Sequence, residues 1–240
     1  ALDLKLGVDG LSLPSLGARI ELMQPKAPGW QGALVAPGEK AGLFVFNFER
    51  PGAHALVFRT KDRTRGRIAA KGRTLDGLDV YGNYRGDIHA DVFLRGEFDV
   101  EPTGVMAEGD RTIVSFPARP CTVRLRLAVS YSSAAQAARN LAAELSDFDF
   151  GRLSAEARAV WNLTLGQVEV EGGTEDEKAV FYTALWRTYE RMVNVTEEGR
   201  YRGFDHEVHA ADGVDYYVDD WTWDTYRAAH PLMTASPRSI

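Results

Sequence analysis

Between Asp212 and His230 carboxylates and aromatic rings are densely mixed, with Asp212, Asp215, Asp219, Asp220 and Asp224 lying among Tyr216, Tyr217, Trp221, Trp223 and Tyr226. A pyranose offers hydroxyls that carboxylates and guanidinium groups bind, and an apolar C–H face on which an indole can lie. Read as a helix from Asp219 to Ala229, the stretch places Asp220, Asp224 and Arg227 at i, i+4 and i+7 on one face, with Trp223 adjacent. The segment is therefore a candidate sugar site. The competing reading is a solvated charged face, with Asp219 and Asp220 favouring a helix N-terminus and Trp221 and Trp223 in the core.

Other reactive constellations are weaker. His206-Glu-Val-His209 superficially resembles a metalloprotease signature, but its histidines stand at i and i+3 rather than i and i+4, so a loop with surface imidazoles is expected instead. The Asp212–Asp224 run has no calcium loop of the Asp-x-Asp-x-Asp-Gly kind. Cys121 is the single cysteine and is expected to be an inert buried thiol. Arg59–Arg73 holds seven basic residues against Asp62 alone, which suits either a polyanion contact or the wet face of a strand or hairpin. The second is preferred. No Gly-x-Ser-x-Gly elbow, Walker loop or Gly-x-Gly-x-x-Gly occurs, so serine hydrolase, P-loop and dinucleotide-binding readings lack support.

The elements that must hold such a site change character along the chain. Thr122–Tyr131 alternates, with Val123, Leu125, Leu127 and Val129 on one face and Thr122, Arg124, Arg126 and Ser130 on the other, the period of a half-buried strand. Leu43–Phe48, Ala55–Arg59, Asp87–Leu94 and Arg111–Phe116 are further strands, separated by Pro51-Gly52, Tyr81-Gly82-Asn83 and Glu108-Gly109-Asp110 turns. Helical composition begins at Ser133, which has capping-box spacing to Gln136 ahead of Ala134–Leu145. Ser154 is expected to cap a second helix ending at Gly166, and Thr174 with Glu177 a third, on which Phe181, Leu185, Thr188/Tyr189 and Met192 recur at helical spacing. Val195–Gly213 reads as a loop, and the helix from Asp219 is expected to stop near His230-Pro231. The fold class is thus β then α, in three parts: an antiparallel β-sandwich over 1–131, a helical linker over 132–173, and over 174–240 the start of a helical domain that two helices cannot close by themselves.

Composition narrows the function classes. With 45% hydrophobic and 26% charged residues, the 240-residue chain is neither disordered, collagenous nor coiled coil, and it can bury a real core. Its net charge of −6 argues against a nucleic-acid partner. Even the most apolar stretch, Leu43–Phe48, is interrupted by Asn47, so no membrane span is expected. The opening Ala1-Leu-Asp-Leu-Lys5 carries no basic region followed by an apolar run, which leaves the compartment unread.

Three runs carry a resemblance to a known family: Val168–Leu185, Gly199–Asp205, and Trp223-Asp-Thr-Tyr-Arg-Ala-Ala-His-Pro-Leu232. Together with Asn140-Leu-Ala-Ala-Glu144 and Trp161 they are similar to glycoside hydrolase family 92, specifically from about Thr122 to Met233, and only in architecture before that. The resemblance implies a calcium-dependent, inverting exo-α-mannosidase. It also implies an N-terminal β-sandwich joined by helices to an (α/α)6 barrel that begins in 174–240. It makes Trp223 and Asp224 substrate-binding residues for the terminal mannose and gives Thr225, Arg227 and His230 a supporting role. Asp220 and Trp221, where the family more often has a Ser-Leu pair before the Trp-Asp, mark a specialised substrate range, with Asp220 added to the substrate-binding set. Family members are several times longer, and their catalytic acid, base and calcium ligands lie in barrel segments beyond this motif. The chain is therefore expected to be a fragment whose catalytic residues are unknown. Asp220 and Asp224 are not the catalytic pair: inversion needs carboxylates about 6.5–9.5 Å apart, wider than one helical turn. The implied partners are an α-mannoside glycan and the remainder of the barrel, and the implied compartment is secreted or periplasmic. The competing functions are a non-catalytic carbohydrate-binding or structural fragment and, last, a polyanion-binding module on Arg59–Arg73.

Overall fold

The computed structural model describes residues 11–12, 18–23, 33–82, 89–189, 192–218, 220 and 222–235. Its first part is built of β1 (Leu11–Ser12), β2 (Ala18–Met23), β3 (Ala33–Pro37), β4 (Ala41–Phe48), β5 (His54–Thr60), β6 (Arg67–Lys71), β7 (Thr74–Gly82), β8 (His89–Phe98), β9 (Gly104–Glu108), β10 (Arg111–Phe116) and β11 (Cys121–Ser130). Two antiparallel sheets result, ordered β1-β2-β5-β10-β9 and β3-β4-β11-β8-β7-β6. Between them lies the main core: Leu56, Phe58, Val114 and Phe116 from the first sheet meet Phe44, Phe46, Leu94, Phe98 and Leu125 from the second. Phe98 makes edge contacts across this interface with Phe58 and Phe116, at centroid distances of 6.1 and 5.3 Å. This is the expected sandwich.

The apolar run of β4 has a physical reason. Phe44, Phe46 and Phe48 face the main core, while Ala41 and Leu43 join Ala128, Leu141, Leu145 and Leu153 in a second cluster on the other side of the sheet. A strand covered on both faces loses the polar half of its alternation. Strand β11 keeps its predicted inward set Val123, Leu125, Leu127 and Val129, and β10 occupies Arg111–Phe116 as expected. Of the expected Asp87–Leu94 strand, 87–88 lie outside the described residues, and β8 extends to Phe98.

Helices α1 (Ala134–Glu144), α2 (Phe150–Leu165) and α3 (Glu175–Arg187) come next along the chain. Ser133 caps α1 by accepting from the Gln136 N–H, but the Gln136 side chain turns to Asn140 instead of completing the box. The second cap is a correction: Asp149, not Ser154, accepts from the Arg152 N–H, so α2 starts four residues before Ser154. Both residue types cap well, and the earlier one lets Leu153 reach the second apolar cluster. Gly172 and Gly173, with φ of 78° and 71°, turn the chain into α3, where the Thr174–Glu177 capping box is complete. The expected apolar stripe of α3 is shortened: the helix ends at Arg187, Leu185 is buried, and Met192 lies beyond it with φ of 69°. Trp161 of α2 meets Trp186 and Tyr189 edge-on.

The expected loop over Val195–Gly213 instead carries one small hairpin, β13 (Arg200–Arg202) with β14 (Val208–Ala210), and is flanked by a second pair, β12 (Val193–Asn194) with β15 (Tyr217–Val218). Strands of two or three residues are too short to show alternation. The single helix expected from Asp219 is likewise replaced by α4 (Thr222–Thr225), a turn, and α5 (Ala229–Ala235). Pro231 sits in the first turn of α5, where the N–H it lacks would have no intrahelical partner. The helix therefore starts around His230-Pro231 rather than stopping there. Among the described residues no helix is long and apolar enough to cross a membrane.

Candidate functional site

The C-terminal hairpins are tied to the sandwich by buried polar contacts. Lys40, at the start of β4, donates its Nζ to the Asn194 carbonyl at 2.8 Å. Glu197, 5% exposed, accepts from Ser130 Oγ at 2.8 Å, Ser132 Oγ at 2.7 Å and Asn140 Nδ2 at 2.8 Å. Asn140 Nδ2 also donates to the Val129 carbonyl at 2.8 Å, so one carboxylate joins β11, α1 and the hairpin segment. One helical turn further along α1, Glu144 accepts the backbone N–H groups of Glu39, Lys40 and Ala41. At the far side Arg202 pairs with Asp91 of β8 at 3.3 Å, and the rings of His206 and His89 pack at 4.6 Å. Reading the sequence alone missed Glu197 and Lys40. Their only signal was polar positions Asn140 and Glu144 at i and i+4 in a helix otherwise rich in Ala and Leu.

On this base the hairpins present their aromatic residues. Glu198 and Gly199 take φ of 50° and 72° in the tight turn closed by reciprocal Glu197–Arg200 backbone hydrogen bonds. Tyr201 stacks on Tyr216 at 3.6 Å, and the hydrogen bond between them raises the Tyr201 hydroxyl above the ordinary phenol range. His209 Nε2 lies 2.9 Å from Asp205 Oδ2. The Glu207 N–H first, and His209 with it, hold the Asp205 carboxyl below the ordinary carboxylate value. Thus His206, in the β13–β14 turn, and His209, in β14, are sent to different partners.

The predicted face of Asp220, Asp224 and Arg227 does not form, because Asp220 precedes α4 and a turn separates α4 from Arg227. Asp219 and Trp221 lie outside the described residues. Asp220 instead closes a triangle: Thr225 Oγ1 donates to its Oδ1 at 2.7 Å, His230 Nε2 lies 3.0 Å from its Oδ2, and the same Nε2 lies 3.1 Å from Thr225 Oγ1. The Thr225 hydroxyl first, and then His230, lower the Asp220 carboxyl from its ordinary value. Trp223, 72% exposed, and Asp224, also exposed, lie on the span this triangle closes. Arg227 Nε donates to the Tyr226 hydroxyl at 3.0 Å and does not share a face with Asp220. An exposed indole beside an exposed carboxylate can offer an apolar face and a hydroxyl acceptor to one sugar ring.

Two side constellations take structural places. The Arg59–Arg73 run is not the wet face of one strand or hairpin, since β5 and β6 belong to different sheets and a turn over 61–66 separates them. That turn is pinned by Asp79, 1% exposed, which accepts the N–H groups of Lys61, Asp62 and Val80. Arg63 and Arg65 pair with Asp110 and Asp62 at 3.1 and 2.8 Å, so the local excess charge is partly neutralised. Burial raises the Cys121 thiol, which lies 3.7 Å from His54 Nδ1. Among the described residues no three carboxylate, imidazole or thiol side chains come together as a metal-binding group.

Residues 136–238, which include Trp223, Asp224 and the triangle, match the glycosyl hydrolase family 92 catalytic domain. Among solved structures, the family GH92 inverting mannosidase from Bacteroides thetaiotaomicron VPI-5482 is 26% identical, with a TM-score of 0.71 over 90% of this chain and 34% of its own. A further GH92 family glycosyl hydrolase is 25% identical, with a TM-score of 0.73 over 86% of this chain and 31% of its own. A family GH92 alpha-mannosidase from Bacteroides thetaiotaomicron, at 20% identity, shares the fold with a TM-score of 0.72 over 85% of this chain and 31% of its own. No curated protein matches. The chain is therefore similar to glycosyl hydrolase family 92, by sequence over 136–238 and by fold over most of its described length, and it spans about a third of the solved structures it matches.

Proposed function

We propose that this chain is part of a glycoside hydrolase that releases terminal α-linked mannose, with Trp223 and Asp224 holding the terminal sugar and Asp220 bordering the same site. The observation that carries the reading is the match of 136–238 to the family 92 catalytic domain, which contains the exposed Trp223–Asp224 pair. The indole would cover the C–H face of the ring while the carboxylate accepts its hydroxyls. In this reading α3 and the segments C-terminal to it open an (α/α)6 barrel, whose remainder supplies acid and base and hydrolyses with inversion. Calcium enters only through the family resemblance. The described residues do not fit it as ligands, because Asp205, Asp215 and Asp220 each turn to separate partners, His209, Asn194 and the Thr225–His230 pair.

A second reading is a carbohydrate-binding or structural unit without turnover. It is favoured by the exposed Trp223–Asp224 pair, which can hold a sugar without an acid and a base beside it. The two are separated by incubating the protein with an α-mannoside and following released mannose beside calorimetric binding. Release points to hydrolysis, and binding without release to the second reading. In either case Asp224→Ala is expected to abolish saturable mannoside binding, and an unchanged affinity would refute the assigned role of Asp224.

A further inference from the structure

We infer that Asp220, Thr225 and His230 form a positioning triangle for the Trp223–Asp224 turn, so that Asp220 acts on a bound sugar through its neighbours and not by touching it. The inference rests on the proposed mannoside-binding role for its ligand, and on hydrogen-bond geometry for its mechanism.

The donors and acceptors admit one arrangement. A carboxylate only accepts, so the short contact from Thr225 Oγ1 to Asp220 Oδ1, 2.7 Å, uses the single hydroxyl proton. The Thr225 oxygen can then only accept from His230, and Asp220 Oδ2 can only accept as well. His230 Nε2, 3.1 Å from the first and 3.0 Å from the second, must carry a proton and share it between them. Both Asp220 oxygens, the Thr225 hydroxyl and His230 Nε2 are thus joined to one another.

The corners also sit where positioning requires them. Asp220 precedes α4, Thr225 is its last residue, and His230 is the second residue of α5. An isolated helix of four residues does not persist by itself, so the conformation of Thr222–Thr225 must be imposed from outside. The triangle joins the entry of the turn to its exit across ten residues and leaves Trp223 and Asp224 on the span between. Asp220 is itself exposed, but both of its oxygens already accept from Thr225 and His230, so Asp224 is the carboxylate with its acceptor sites open to a sugar hydroxyl.

The full chain tests this with methyl α-D-mannoside as the probe. Thr225→Val keeps the shape and removes the hydroxyl, and is expected to weaken binding about tenfold, whereas Thr225→Ser should stay within about threefold of wild type. His230→Gln, whose amide N–H reaches the place of Nε2–H, should lose less than His230→Ala. Nitrogen-15 spectra should show His230 protonated at Nε2, and the Trp223 and Asp224 backbone amide signals should move in Thr225→Val and return in Thr225→Ser. The melting temperature should change by less than about 2 °C in each variant, which separates positioning from general stability. Amide signals that ignore the hydroxyl, or an unprotonated Nε2, would overturn the triangle whatever the sugar does. Binding lost in Asp220→Asn but untouched in Thr225→Val and His230→Ala would overturn it too, by making Asp220 a direct ligand. If wild type does not bind the probe while the amide signals follow the hydroxyl, the mannoside reading fails and the positioning role stands.

Discussion

At the scale of single residues, the balance of exposed and engaged carboxylates assigns the work. Both Asp220 and Asp224 are exposed, but Asp220 is committed to Thr225 and His230, whereas Asp224 lies beside an exposed indole. Because those hydrogen bonds hold the Asp220 carboxyl below its ordinary value, the folded form is favoured at pH above the unfolded carboxylate value, and that contribution disappears as pH falls through the lowered folded value. The amide signals of Trp223 and Asp224 should therefore shift in acid as Asp220 takes up its proton, and Asp220→Asn should remove that acid-dependent shift. The sequence shows the Trp-Asp pair through its family resemblance, but it does not show the triangle. Asp220 and His230 meet across a break between α4 and α5, and spacing rules apply only within a continuous helix.

At the scale of elements, helix and strand assignments succeed where local signals agree and fail where two compete. The Thr174–Glu177 box and the alternation in Thr122–Tyr131 leave one reading each, and α3 starts and β11 runs where they indicate. Asp149 and Ser154 offer two caps for α2, and tertiary packing of Leu153 selects the earlier. The hairpins over Val193–Val218 owe their shape to contacts distant in sequence, above all Glu197. Replacing Glu197 with Ala strands the Ser130, Ser132 and Asn140 donors in a buried place, at a cost of about 1–3 kcal/mol in chemical denaturation. Hydrogen exchange should also rise first in β12 to β15 and only later in the sandwich.

For the whole molecule, the sandwich is the base to which the hairpins preceding the site segment are tied. Its two-sided core explains why β4 reads as continuous apolar sequence, and its crossover between sheets explains why alternating basic residues at Arg59–Arg67 do not belong to one strand. Phe98 is fully buried between Phe58 and Phe116, so Phe98→Ala should lower stability by about 3–5 kcal/mol in chemical denaturation. The β-then-α order was legible from the change of period at Ser132-Ser133. The contacts that dock the hairpins were not, because nothing local distinguishes Lys40 or Glu197 from a surface charge. The proposed grip of Trp223 and Asp224 on a terminal mannose is tested by calorimetric titration of methyl α-D-mannoside into wild type and Asp224→Ala side by side. Saturable binding is expected in the first and none in the second; equal affinity in both, or no binding in wild type, would refute the grip.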